Sequence, residues 1–140
     1  MKYNKVNHQR QDYINYRIAR SFETFEDAKI LSRDKRWNSC INRLYYAAFY
    51  AVNALLYSID IKAKTHNGVR RMFDKEFIKT GIIDIEYGKL YSNLFGSRNE
   101  GDYNDFIVFD ESVVFPLINE TEKFIKVIKS KINNYEKPKT

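Results

Sequence analysis

The stretch RWNSCINRLYYAAFYAVNALLYSI, residues 36–59, is apolar around most of a helix circumference after Arg43. A helix that is apolar on nearly all faces is normally central in a bundle or shared with a partner subunit. Tyr45, Tyr46 and Tyr50 bring hydroxyls that need partners when buried, and we interpret this tyrosine cluster as packing rather than chemistry. Four alanines allow neighbouring helices to approach closely: Ala47, Ala48, Ala51 and Ala54. The stretch therefore predicts the central helix of an all-α fold.

Apolar residues at intervals of three and four predict further helices on both sides of this stretch. They cover residues 9–34, 66 to about 79, 84–97, and a last segment from residue 110. Few glycines and prolines and no strand pattern accompany them. The sequence thus predicts a single all-α domain over residues 1–140, an up-and-down bundle of about five helices with frayed termini at about 1–8 and 134–140.

The predicted helix ends carry recognisable capping residues. Thr65 and Asp110 have side-chain oxygens that can accept from the first free backbone amides of a helix. Gly81 is a plausible stop for the third helix. Pro116 stands late for a first-turn proline, so the last helix either kinks there or starts nearer Phe115.

Charge and cysteine content narrow the functional classes. The formal net charge of +6 favours encounter with polyanions by long-range attraction. Cys40 is the single cysteine, which excludes an intramolecular disulfide and a cysteine-based zinc site and suits a reducing cytosol. The most apolar run, residues 44–57, is too short for a membrane span of roughly 20 residues. We therefore expect a cytoplasmic protein that does not enter the membrane.

Few side chains are available for catalysis. The chain has two histidines, and His8 falls in the expected frayed terminus. A catalytic triad, a phosphate-binding glycine-rich loop and a histidine-rich metal site all lack the necessary residues, so we expect neither metal nor cofactor. His66 begins a predicted helix, where an imidazole is disfavoured as a cation and stays available as a base. The plainer interpretation is that His66 and Asn67 simply occupy a helix start.

The segment from Arg98 to Tyr103 is the most informative local feature. Arg98 closes the predicted fourth helix, and a polar turn places Asn99, Asp102 and Tyr103 next to it. An arginine at a helix C-terminus can satisfy the last carbonyls. Its planar fork also suits phosphate geometry. The residues alone leave both interpretations open.

Three stretches together resemble a known family. RLYYAAFYAVNALL (43–56), KTHNGVRRMFDKEFIKTGIID (64–84) and LYSNLFGSRNEGDYNDF (90–106), in this order and spacing, are similar to a short-chain subgroup of the HEPN superfamily that is often encoded beside a minimal nucleotidyltransferase. The likeness runs from about residue 20 to residue 131. It implies a compact helical bundle that acts on RNA, by cleavage or binding, in prokaryotic conflict and toxin–antitoxin systems.

The resemblance also assigns roles to the Arg98 segment. In the superfamily an Arg, often followed by a polar residue, precedes a His by about four to six positions, and two such motifs meet across a homodimer. The Arg maps onto Arg98 and the polar residue onto Asn99, but Tyr103 stands at the histidine position. Tyrosine, with a pKa near 10, is a poor base at neutral pH unless nearby cations lower that pKa. Either Tyr103 serves a variant nuclease through hydrogen bonds, or His66 supplies the imidazole, or the cleft binds RNA without cutting it.

We therefore hypothesise a homodimeric RNA-binding protein of a toxin–antitoxin or defence system, and a metal-independent endoribonuclease toxin if catalysis survives the tyrosine at position 103. Arg98 would hold a phosphate and Asn99 would help to bind RNA. Tyr103 and Asp102 would position the ribose or the arginine, and His66 is the further candidate for the base. We expect Arg98 to be partly exposed beside Tyr103. The alternative is a non-catalytic subunit that binds a nucleotide or partners a minimal nucleotidyltransferase. The RNA target and the toxin or antitoxin role do not follow from the sequence.

Overall fold

The second helix lies at the centre of the molecule, as its sequence predicts. In the computed structural model it spans Trp37–Ser58 (α2) and packs against every other α-helix of the described chain. The structure describes the backbone of residues 2–103 and 108–136 and the side chains of residues 8–99, 101 and 108–132. Within these residues it contains five α-helices and no strand: α1 (Lys2–Arg33), α2, α3 (His66–Phe73), α4 (Ile85–Tyr103) and α5 (Glu111–Glu136). The prediction of an all-α fold is confirmed.

Most of the apolar surface of α2 is covered within one chain, whereas Tyr46, Phe49 and Tyr50 stay partly exposed. Residues on several sides of the helix are fully buried, including Ile41, Leu44, Val52 and Leu55. Each large apolar side chain of this kind stabilises the fold by about 1.5–3 kcal/mol relative to an exposed position. The homodimer predicted from this helix stays a prediction.

The first helix pairs with α2 in the antiparallel sense. The sequence pattern places its start at residue 9, whereas α1 begins at Lys2. It ends in a tight turn in which Lys35 adopts a positive φ of 59° and Arg36 N–H bonds to the Leu31 carbonyl. The buried Ser21 hydroxyl donates to the Ala47 carbonyl of α2 at 2.6 Å. This contact satisfies a hydroxyl that would be costly to bury alone.

The third helix begins where the sequence places it. Thr65 caps α3, its hydroxyl oxygen accepting from Gly68 N–H at 2.9 Å. After Phe73 the helix widens into one π-helical turn over Asp74–Ile78. Gly81 follows with φ 80°, a conformation that glycine adopts without a steric penalty. The predicted helix from residue 66 to about 79 is confirmed, although its last turn is π-helical.

Two predicted boundaries change in the second half of the chain. The fourth helix continues to Tyr103, so Arg98 lies inside α4. The prediction from the sequence that Arg98 closes this helix is wrong. The last helix starts at Glu111 and contains Pro116, which excludes a start near Phe115. Asp110 caps it by accepting from Val113 N–H at 3.2 Å. None of the described helices combines the length and apolar character that a membrane crossing requires.

Candidate functional site

The imidazole of His66 lies at the start of α3 and contacts α2. Its Nδ1 and the hydroxyl of Tyr45 form a hydrogen bond of 2.6 Å. Its ring stacks on Phe49, with centroids 4.5 Å apart and an interplanar angle of 27°. The Thr65 cap fixes where α3 begins, and with it the position of His66 opposite α2. His66 is thus held by two aromatic side chains of the central helix.

Arg98 reaches the same tyrosine from α4. Its guanidinium carbon lies 4.9 Å from the ring centroid of Tyr45 and 5.7 Å from that of Tyr46. The side chain is 8% exposed, so the expectation of a partly exposed arginine is wrong. The reason is the longer α4: position 98 continues the buried row formed by Tyr91, Leu94 and Phe95, at intervals of three and four residues. Cation–π contacts of this kind are worth about 2 kcal/mol when they are shielded from water.

Tyr45 is the residue that sequence reasoning missed. It is fully buried, and its hydroxyl and ring together link His66 to Arg98. Interpreting the tyrosine cluster as packing was correct for the ring of Tyr45 but overlooked its hydroxyl. The available signal was the physical requirement that a buried phenol find a hydrogen-bond partner. Here that partner is an ionisable side chain on another helix.

The electrostatics keep His66 neutral at physiological pH. Burial lowers the pKa of His66 below its ordinary value of 6.5, and the positive charge of Arg98 adds to this effect. Burial raises the pKa of Tyr45, so its hydroxyl keeps its proton. When the Tyr45 hydroxyl accepts from Nδ1–H, the Nε2 atom of His66 carries a lone pair and can take a proton. When the hydroxyl donates, Nε2–H becomes a donor.

A groove of about 500 Å³ lies next to this cluster, between α3 and α4. Its polar lining includes Asn67, Arg70 and Arg71 of α3 and Ser92 of α4. The guanidinium carbon of Arg70 lies 4.6 Å from the ring centroid of Phe95. Such stacking uses the face of the guanidinium and leaves its in-plane donors available. The groove therefore offers two arginines to an anionic ligand, beside one carboxylate, that of Asp74.

Tyr91 connects the groove to the cluster. Its side chain lines the groove, and its ring centroid lies 6.0 Å from that of Tyr45. Its hydroxyl is buried and interacts with the hydroxyl of Tyr45, which also bonds to His66. Burial, and secondarily the neighbouring Tyr45, raises the pKa of Tyr91 well above the ordinary range.

The other sequence-predicted site residues are placed less completely. Asn99 is half-buried on α4 and points about 100° around the helix from Arg98. Asp102 and Tyr103 lie in the last turn of α4, but their side chains fall outside the described residues, so their roles stay predictions. Among the described side chains, no group of three or more histidine, cysteine or carboxylate residues could hold a metal ion.

Comparison with known proteins assigns the family. A family model described as HEPN domain matches residues 14–131, which include Tyr45, His66 and Arg98. The chain belongs to the HEPN family. A UPF0332 protein of Thermotoga maritima is 36% identical over 129 residues, which are 92% of this chain and 98% of that protein.

Two archaeal relatives have more informative names. In Methanocaldococcus jannaschii, "Putative toxin MJ0142" is 30% identical over 112 residues, covering 80% of this chain and 76% of the relative. "Putative toxin MJ0605" from the same organism is 33% identical over 107 residues, with 76% and 79% covered. This HEPN protein is therefore similar to proteins that are named as toxins.

Proposed function

We propose that this HEPN protein is a toxin that binds RNA and cleaves it without a metal ion. The observation that carries the proposal is the meeting of His66 and Arg98 on Tyr45, beside a groove lined with further arginines. A neutral imidazole and a fixed cation are the two groups that cleavage of RNA through its own 2′-hydroxyl needs.

The reaction follows from these two groups. His66 Nε2 takes the proton of a ribose 2′-hydroxyl, and the resulting oxygen attacks the adjacent phosphorus. The bond to the 5′ oxygen breaks, and that oxygen takes a proton from water. The products are a 2′,3′-cyclic phosphate and a 5′-hydroxyl. Arg98 stabilises the extra negative charge on the phosphate through the small part of its surface that remains accessible.

Neighbouring residues complete the binding site in this proposal. Arg70 and Arg71 hold phosphates on either side of the cleavage point, since arginine forms paired hydrogen bonds to phosphate oxygens. Asn99 helps to bind RNA, and Asp102 and Tyr103 position the ribose or the arginine. Tyr103 contributes a hydroxyl and not a base.

Cleavage should depend on pH through His66. Its lowered pKa means that the neutral, active form persists to more acidic pH than for an ordinary histidine. We expect the rate to rise about tenfold per pH unit in the acidic range and to level off below pH 6.5. The measurement is the rate of appearance of cyclic-phosphate ends from a labelled single-stranded RNA in EDTA. A rate that keeps rising through neutral pH would contradict His66 as the base.

The burial of Arg98 favours one other function. An arginine that is 8% exposed can stabilise Tyr45 and Tyr46 without touching a ligand. The protein would then be a non-catalytic subunit that binds a nucleotide in the α3–α4 groove or partners a minimal nucleotidyltransferase. RNA that is bound yet remains uncut during long incubation in EDTA would favour this function over the nuclease.

A homodimer is part of the proposal because the family resemblance places two motifs across one interface. Most of α2 is buried within the chain, and the partly exposed face with Tyr46, Phe49 and Tyr50 is the part of this helix that a second subunit would cover. Sedimentation at micromolar concentration should show a dimer if the cleft is shared. A monomer that still cleaves RNA would show that one chain carries the complete site.

A further inference from the structure

Six partly exposed side chains form a continuous row along α1 and α2. We call this row the aromatic–arginine strip, and it consists of Tyr13, Arg17, Arg20, Arg43, Tyr46 and Tyr50. The members on each helix are spaced by three or four residues, which places them on one face. All six are half-buried, so each side chain is fixed by packing yet remains accessible to a ligand.

The contacts along the strip are unbroken. The guanidinium carbon of Arg17 lies 5.2 Å from the ring centroid of Tyr13 and 5.5 Å from that of Tyr50. Arg20 covers Tyr50 at 5.3 Å, and Tyr50 is 6.0 Å from Tyr46. Such stacking between flat groups restricts their motion before any ligand arrives. The strip is therefore a preorganised surface.

One end of the strip meets the candidate site. Tyr46 lies under Arg43 at 5.1 Å, and its ring also faces the guanidinium of Arg98. The rings of Tyr46 and His66 are 5.8 Å apart in an edge-to-face arrangement. A ligand that lies along the strip is thereby led to the imidazole that we propose as the base.

The charge of the strip selects an anionic ligand. It carries three arginines, and within the described side chains the ion pair that involves them joins Arg20 to Glu23 at 2.8 Å. One edge of each guanidinium is held by the protein: Arg17 Nε donates to the Tyr13 hydroxyl at 2.9 Å, and Arg43 donates to Asn42 Oδ1 at 2.7 Å. An arginine has five N–H donors, so further donors of each side chain are left for phosphate oxygens. The surface thus alternates flat faces with phosphate-binding donors.

We propose that the strip binds single-stranded RNA and leads it to His66. Unpaired bases stack on tyrosine rings and guanidinium planes, whereas the bases of a duplex are already stacked on each other. The phosphates between those bases lie within reach of the arginines. This inference rests on the proposed function and adds its substrate class.

The test uses a fluorescent 2′-O-methyl oligouridylate, which binds like RNA but cannot be cleaved through a 2′-hydroxyl. Fluorescence anisotropy should show that Tyr46→Leu and Tyr50→Leu each weaken binding by about tenfold or more, because they remove a stacking surface. Tyr46→Phe and Tyr50→Phe keep the ring and should bind within about twofold of wild type. Tyr16, which is 58% exposed on α1 and outside the strip, supplies the matched control Tyr16→Leu with unchanged binding.

A double variant of two arginines tests the strip even if the leucine variants fail to fold. Arg17→Gln together with Arg20→Gln should weaken binding and reduce the dependence of log affinity on log salt by about 1.4, or about 0.7 for each lost phosphate contact. A duplex of the same length should bind more weakly than the single strand. Circular dichroism melts confirm that each variant is folded.

The results separate the strip from the proposed function. If wild type binds and cleaves RNA but folded strip variants bind the probe as tightly, the strip inference is wrong and the nuclease stands. Equal binding of duplex and single strand also overturns it. If the leucine variants convert a dimer to a monomer and leave the affinity for the probe unchanged, the strip is a protein interface and the RNA inference is wrong. A wild-type protein that neither binds nor cleaves RNA removes both proposals.

Discussion

Replacing Arg98 with alanine should abolish RNA cleavage and also lower the free energy of unfolding by about 1–3 kcal/mol. The catalytic loss follows because Arg98 is the cation whose charge acts on His66 and which shares Tyr45 with it. The stability loss follows because its side chain fills space against Tyr45 and Tyr46. An exposed arginine could be removed at little cost. Cleavage of labelled RNA and urea denaturation measure the two effects, and slowed growth on expression of wild type should disappear in the variant.

Matched variants separate charge from packing. Arg98→Met keeps much of the length and the contact with Tyr45 and Tyr46 without the charge, so it should fold more stably than the alanine variant and still fail to cleave. Arg98→Lys keeps the charge but not the planar face and should retain partial activity. If Arg98→Met cleaves RNA at the wild-type rate, Arg98 has a structural role only, and the non-catalytic function gains support.

Replacing His66 with alanine should slow cleavage by about a hundredfold to ten thousandfold, the usual contribution of a general base. RNA binding should change little because the groove arginines remain. Tyr45→Phe removes only the hydroxyl that bonds to Nδ1. We expect about a tenfold slower reaction and a displaced acidic limb of the pH profile, since the imidazole loses the partner that orients its proton.

Tyr103→Phe is the matched comparison for these two variants. Loss of cleavage in His66→Ala with near-normal activity in Tyr103→Phe makes the imidazole the base. The reverse pattern assigns the essential hydroxyl to Tyr103 and removes His66 from the mechanism. Near-normal activity in both variants would mean that Arg98 works with a group that this proposal does not contain.

The sequence predicted the architecture because its signals are local. A circumference that is mostly apolar after Arg43 made residues 36–59 central, and the hydroxyl of Thr65 and carboxylate of Asp110 fixed two helix starts. Gly88 weakens a helix by its intrinsic propensity, but here it marks a position where two helical segments pack closely. A Cβ at that position would lie 3.1 Å from Ile78, so the glycine lets α4 approach the π-helical turn.

The candidate site was only half predictable. Arg98 and His66 were both identified, but their meeting depends on how α3 and α4 cross α2, which no local pattern specifies. The polar residues after Arg98 suggested a turn, whereas tertiary packing extends α4 through them to Tyr103. Arg98 follows Tyr91, Leu94 and Phe95 at helical spacing, on the same buried face of α4. This spacing indicates that Arg98 is buried, although a charged residue is not expected on such a face.

The single thiol of the chain, that of Cys40, can be used to measure how often the core opens. Cys40 is completely buried in α2, and burial raises its pKa to about 11. Because the thiolate is the reactive species, an alkylating reagent scarcely touches this sulfur in the closed molecule. Its modification rate in native buffer consequently reports how often the core opens. Because Cys40 scarcely reacts, a cysteine introduced on the surface can be labelled selectively, and Cys40 does not need to be replaced.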